Sequence, residues 1–254
     1  MISRSQVKYI NSLKIAKFRE KHRTFIAEGP KLVGELLRSR LIIEIIIAIP
    51  AWLNENQTQI DGIKSSEISP DELGKISSLK TPNQVLAVVR MPEYNLDAGK
   101  LKQGLSLALH DIRDPGNMGT IIRSADWFGI EHILCSRECV DIYNPKVVQA
   151  SMGSIARVKV FYKDLSAFFS LHSDLTVYGA FMEGKSIYKE TLSENAIILI
   201  GNESHGIPDD LEAFVNFRLG IPPVGGLTES LNAGVAASII LSEFRRQGLS
   251  GKQN

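Results

Sequence analysis

The second half of the chain repeats one pattern: a short apolar run, a polar turn, then a stretch with helical periodicity. The strand-like runs fall at 105–109, 130–134, 158–160, 175–179, 196–200 and 214–219. Helix-like stretches fill 118–128, 145–152, 164–171 and 231–246, with Gly248 placed to cap the last one. A strand followed by a helix re-enters its sheet in the same direction, so the alternation predicts a parallel sheet with helices on both faces. Ligand loops of such sheets lie at strand ends. That constrains both the fold and the place to look for a site.

Three polar, glycine-containing turns occupy such ends. In the first, Asp114-Pro115-Gly116-Asn117 turns sharply into a helix that begins near Asn117 or Met118 and carries Arg123 about a turn and a half in. Asn117 can cap that helix, and a guanidinium at Arg123 suits a phosphate as well as a surface acid. The second, Gly201-Asn202-Glu203-Ser204-His205-Gly206, offers close backbone approach at Gly201 and an acceptor at Glu203. His205 has the titration range of a general base but no partner in the sequence. The third runs from Ile221-Pro222-Pro223-Val224-Gly225-Gly226 to Glu229-Ser230-Leu231-Asn232 and enters a small-residue helix. Ser230 or Asn232 can cap that helix, and the loop exposes backbone groups for an adenine edge or a carboxylate. The first turn matches neither G-x-G-x-x-G nor the P-loop pattern, which disfavours nicotinamide and P-loop enzymes.

The first half also alternates. A helix over 3–20 carries the apolar stripe Val7, Ile10, Leu13 and Phe18, with Lys14, Lys17 and Lys21 on another face. A strand follows at 24–27, a helix from Gly29-Pro30 to Arg38, a strand at 41–49 buried on both faces, a helix started by Ser69-Pro70-Asp71-Glu72, and a strand at 85–89. Residues 91–104 have proline, glycine and little periodicity, which sets the expected boundary. The division is therefore residues 1–91, a linker at 92–103, and residues 104–250.

Charge alone does not identify a partner, since the net formal charge is +1 over 254 residues. The bases cluster early, however: Lys14, Lys17, Lys21, Arg19 and Arg23 form a candidate patch for RNA phosphates, or a solvated helix face. Cys135 and Cys139 read as small hydrophobes in a reducing compartment, not as half of a metal site. No apolar run reaches membrane-spanning length and no cleavable leader is visible, so the expected location is cytoplasmic, with no membrane and no metal.

The three turns together resemble the signature motifs of the SpoU (TrmH-like) 2'-O-ribose RNA methyltransferases. Asn117 and Arg123 match the first motif, Glu203 the second, and Ser230 and Asn232 the third. The stretch Phe25-Ile26-Ala27-Glu28-Gly29 with its following helix resembles the L30e-like substrate-binding domain often fused ahead of that catalytic domain. The resemblance implies an α/β protein: an N-terminal L30e-like domain followed by a trefoil-knotted (SPOUT) methyltransferase domain that forms a homodimer. It implies S-adenosyl-L-methionine as cofactor, held at Ala180, Gly201, Ile221 and Leu231, with Arg123, Asn117, Glu203, Ser230 and Asn232 as the catalytic set. The third motif departs from the usual pattern at Pro222-Pro223 and at Ala233-Gly234.

The reaction so implied is methyl transfer to a ribose 2'-hydroxyl of structured RNA, with 23S ribosomal RNA preferred over transfer RNA. A guanidinium is a poor base, so Arg123 is assigned phosphate positioning and electrostatic support. Competing readings are a non-catalytic RNA-binding or ribosome-assembly protein, an enzyme of small nucleotides, and a base methyltransferase of the same architecture.

Overall fold

The structure is a computed structural model that describes residues 2–225 and 230–250. It separates into two compact units, Met1–Tyr94 with Asp141–Arg157, and Asn95–Val140 with Val158–Asn254.

The first unit opens with two short helices, α1 (Arg4–Ser12) and α2 (Ala16–His22), where one continuous helix was expected. A capping box between Ser3 and Gln6 starts α1. Ile15 is extended (φ −105°, ψ 129°) and breaks the run. The Arg19 guanidinium donates to the Leu13 carbonyl at 2.9 Å, giving a terminal helix oxygen the partner it would otherwise lack. There follow β1 (Thr24–Glu28), α3 (Pro30–Leu37), β2 (Ile43–Ala48), α4 (Pro50–Glu55), β3 (Ser65–Glu67), α5 (Pro70–Ile76) and β4 (Val85–Arg90). The sheet order is β1-β4-β2-β3, antiparallel except for the β2–β3 pair. Ser69 caps α5 as expected, and the Glu72 carboxylate accepts in return from the Ser69 backbone N–H to complete a capping box. Only the second half of β2 is fully buried, so it is less enclosed than its β-branched composition suggested. Ile10, Leu13, Ile26, Ile47, Leu73, Ile76 and Leu86 share the core.

The second unit begins with α6 (Ala98–Leu101), a helical turn that buries Leu101 within the stretch expected to lack structure. β5 (Leu105–Leu109), α7 (Pro115–Trp127) and β6 (His132–Cys135) come next. The chain then supplies α8 (Pro145–Ala150) and a 3-10 turn at Ser154–Ala156, both of which belong to the first unit. Within that unit Arg19 pairs with Asp141 at 2.5 Å, Tyr143 packs on Phe25 with ring centroids 4.8 Å apart, and Arg157 pairs with Glu35 at 3.1 Å.

The second unit resumes with β7 (Lys159–Tyr162), α9 (Leu165–Leu171), β8 (Val177–Ser186), β9 (Ala196–Ile200), α10 (Asp209–Glu212), β10 (Phe217–Gly220) and α11 (Ala233–Ser250). Among the described residues its sheet has six strands, ordered β10-β8-β9-β5-β6-β7, and every pairing is parallel. The β10–β8 register jumps from Arg218 opposite Gly179 to Leu219 opposite Lys185, so residues 180–184 bulge from the ladder. Gly184 must be glycine for this: a Cβ there would lie 2.2 Å from the Leu219 carbonyl carbon. Helix α11 runs through Gly248 instead of stopping at it; the helical ladder continues, and Gly248 lets Glu194 approach.

Candidate active site and cofactor cleft

The first turn folds differently from the expectation, with consequences for the site. Asp114, not Asn117, caps α7, its carboxylate accepting from the Asn117 backbone N–H at 2.8 Å. The helix thus starts earlier, at Pro115, and the Asn117 side chain is released from capping. Its Nδ2 donates to Glu203 Oε1 at 2.5 Å, and its Oδ1 accepts from Asn232 Nδ2 at 2.7 Å. Asn232 in turn caps α11, its Oδ1 accepting from the N–H groups of Gly234 (3.0 Å) and Val235 (3.2 Å). One residue from each of three segments far apart in sequence joins a single hydrogen-bonded chain.

The second loop is built by Asn202. Its backbone exchanges hydrogen bonds with Gly206, and its Oδ1 accepts from the Ser204 and His205 N–H groups. Its Nδ2 donates to the carbonyl (2.9 Å) and carboxylate (3.1 Å) of Asp111. Asp111 holds a left-handed conformation (φ 55°), and its N–H donates to Ser136 Oγ. This scaffold puts Glu203 at the loop tip facing Asn117. Asp111 has no signal of its own in sequence beyond its place two residues after β5. His205 is exposed.

Beside this chain of amides lies a cleft of about 870 Å³, within the roughly 300–1,000 Å³ typical of small-molecule sites. Ala180, Gly201, Ile221 and Leu231, proposed from sequence as cofactor contacts, all line it, as do Glu203 and Ser230. Its walls come from the 180–184 bulge, the 201–206 loop, the Ile221 loop and the start of α11. Gly201 allows the second loop to close: a Cβ there would sit 2.2 Å from the Gly206 carbonyl carbon. Backbone edges, apolar side chains and carboxylates suit a ligand with an adenine, a ribose and a positive charge. Glu229 and residues 226–228 lie outside the described residues.

Asn117 and Asn232 adjoin the cleft through Glu203 but do not line it, and Arg123 does not line it either. Arg123 is exposed on α7, with no hydrogen-bonding or ionic partner among the described residues.

The basic patch is smaller than its sequence suggested. Arg19 does not belong to it: its side chain is 3% exposed and committed to Asp141 and the Leu13 carbonyl. Lys14 does not share a helical face with Lys17 and Lys21, because it falls in the break between α1 and α2 and donates to the Ser77 carbonyl at 2.9 Å. Lys17 and Lys21 are exposed one turn apart on α2, and Arg23 is exposed and loosely paired with Glu93 at 3.4 Å.

Residues 104–242 match the SpoU rRNA methylase family, and residues 4–87 match the MRM3-like substrate-binding domain. The chain belongs to the SpoU rRNA methylase family. It is 31% identical over 248 residues to the 23S rRNA (guanosine(2553)-2'-O)-methyltransferase RlmP of Bacillus subtilis, covering 94% of this chain and 96% of that one. Its structure resembles that of a TrmH-family protein from Porphyromonas gingivalis (TM-score 0.84, 38% identity, 97% and 99% of the two chains). It equally resembles an AdoMet-bound rRNA methyltransferase from Sinorhizobium meliloti (TM-score 0.84, 26% identity, 97% of each chain). The all-parallel sheet is that of the SpoU fold, the knotted α/β class expected from the motifs.

A second residue that sequence reasoning missed is Arg218, on β10 three positions before Ile221. Its guanidinium carbon lies 3.8 Å above the Phe181 ring centroid, and it is ion-paired with Glu212. All three line the SpoU cleft. Among the described residues no helix is long and apolar enough to cross a membrane, and no cluster of three or more His, Cys, Asp or Glu is placed to hold a metal.

Proposed function

We propose that this protein transfers a methyl group from S-adenosyl-L-methionine to a ribose 2'-hydroxyl of ribosomal RNA, and that the RNA is 23S. The observation that carries this reading is the Glu203–Asn117–Asn232 chain, which draws all three family motifs to the edge of one cleft. The cofactor supplies an electrophilic methyl group on a sulfonium, so the protein has only to align the hydroxyl oxygen and manage one proton. Ala180, Gly201, Ile221 and Leu231 would hold it. Asn117 orients Glu203, and Asn232 ties that pair to α11, keeping the loops in register. Ser230, exposed at the cleft edge, is assigned to the ribose. Arg123 is assigned to the RNA phosphate beside the reacting ribose, since a guanidinium stays protonated and cannot act as base.

Residues 1–91 are proposed to choose the RNA, residues 104–250 to perform the transfer, and 92–103 to join them, in the cytoplasm. Lys17, Lys21 and Arg23 are the phosphate contacts that remain after the patch is redrawn. The active form is proposed to be a homodimer. In support, Arg123 is exposed and does not line the cleft, and Trp127, one turn further along the same face of α7, is 83% exposed. A second copy covering that face would bury the indole and bring one protomer's Arg123 toward its partner's cleft.

The test is transfer of labelled methyl groups to ribosomal and transfer RNA fractions, followed by nucleoside analysis. Label in a 2'-O-methyl nucleoside of 23S RNA is expected. Label in a base, or in transfer RNA alone, would replace this reading with one of its competitors.

A further inference from the structure

The cleft has a charged subsite that the family motifs do not include. Among its described lining residues Arg218 is the single arginine or lysine, against the carboxylates Glu183, Glu203 and Glu212. The Arg218 guanidinium carbon sits over the Phe181 ring, 3.8 Å from its centroid, and the group is ion-paired with Glu212. The ring and the carboxylate together restrain the guanidinium, so its remaining N–H groups lose little freedom on meeting a second acceptor. The side chain is about half exposed, which leaves that edge open to a ligand.

We infer that Arg218 binds the carboxylate of the cofactor's amino-acid tail. The inference rests on S-adenosyl-L-methionine being the cofactor. The charges of that molecule fit the cleft: an ammonium and a sulfonium that carboxylates favour, and one carboxylate that needs a cation. The adenine needs none, because loop backbone can serve its edges. A planar guanidinium meets a carboxylate with two parallel N–H donors, which an amide or hydroxyl cannot match. Arg218 is therefore a cofactor-binding residue that distinguishes ligands carrying the amino-acid tail from those lacking it. Glu212 orients the guanidinium and competes for it.

Calorimetry with two product-like ligands tests this. S-Adenosylhomocysteine carries the tail and 5'-methylthioadenosine does not. Arg218→Met, which keeps an unbranched apolar stem and removes the guanidinium, is expected to weaken S-adenosylhomocysteine on the order of tenfold, the size of one partly screened charge-assisted hydrogen bond. Methylthioadenosine affinity is expected to stay within about twofold. Glu212→Gln removes the competing charge and is expected to tighten S-adenosylhomocysteine about threefold without affecting methylthioadenosine. Equal loss of both ligands in Arg218→Met would make the residue structural and overturn the inference. Unchanged S-adenosylhomocysteine binding with weakened RNA binding would also overturn it, assigning Arg218 to a phosphate. Should Arg218→Met not fold, a Glu212→Gln protein that binds S-adenosylhomocysteine no better than the parent would overturn it by itself. Failure of the parent protein to bind either ligand would defeat the cofactor reading, a result separable from a parent that binds both and variants that do not discriminate.

Discussion

Asn117 organises the site because Asp114 has taken over the helix cap. The sequence placed Asn117 in a turn but left it ambiguous between cap and site, since both roles use the same short polar side chain. A three-residue shift of the helix start decides the matter, and boundaries of that size are not encoded in periodicity. Exchanging Asn117 for aspartate removes the donor to Glu203 and sets two carboxylates face to face. Asn117→Asp should therefore cost about 1–3 kcal/mol of unfolding free energy. Pairing it with Glu203→Gln should restore a donor–acceptor pair, so the double variant should lose less than the sum of the singles in urea denaturation. Strict additivity would show that the two side chains are not coupled. Arg123 makes the contrasting case. Exposed and without a partner among the described residues, Arg123→Ala should change stability by less than about 0.5 kcal/mol while abolishing most methyl transfer. Near-parental turnover would remove it from the catalytic set.

Among the elements, apolar runs announced most strands of the parallel sheet, whereas β3 (Ser65–Glu67) and α4 (Pro50–Glu55) are too short or too polar for a periodic signal. The 180–184 bulge was unreadable because Gly184 is required only by the close approach of the β10 backbone, which lies far along the sequence. Gly248 misled for a related reason: a glycine near a helix end reads as a cap, yet this one makes room for Glu194. One strand residue gives a pH test. His132 is buried on β6, stacked 6.2 Å from Phe161, and burial first, then nearby Lys159, holds its pKa below the ordinary 6.5. The unfolded chain takes up this proton at higher pH than the folded one does. The stabilisation is thus fully present above 6.5 and is lost as pH falls through the depressed folded value. Moving from about pH 7.5 to about 5.5 should lower the urea midpoint of the parent more than that of His132→Gln. Parallel declines would show that other groups account for the acid sensitivity.

For the whole molecule, the family and both functional halves were legible because motif chemistry sits in contiguous turns. The assignment of Asp141–Arg157 to the first unit was not, because it depends on contacts between distant residues such as Arg19 and Asp141. Arg19→Met should cost about 2–3 kcal/mol, less than a fully buried pair because Asp141 is 34% exposed, yet enough to lower the unfolding midpoint visibly. No change in midpoint would class the pair as ornamental. Sedimentation should show about twice the 28.1 kDa chain mass, and Trp127→Glu should shift it toward one. A fully active monomer would refute the shared-site proposal.

The path of the chain has a consequence for how such a protein can be inherited. It passes between the units at Tyr94, at Val140 and again at Arg157. A recombination event that exchanged only the N-terminal stretch would leave Asp141, Tyr143 and Glu35's partner Arg157 facing foreign residues. A new front end could be grafted only if it brought matching counterparts or if residues 141–157 travelled with it. The two halves are therefore bound to change together, and an altered RNA preference should leave its mark inside the interval between β6 and β7.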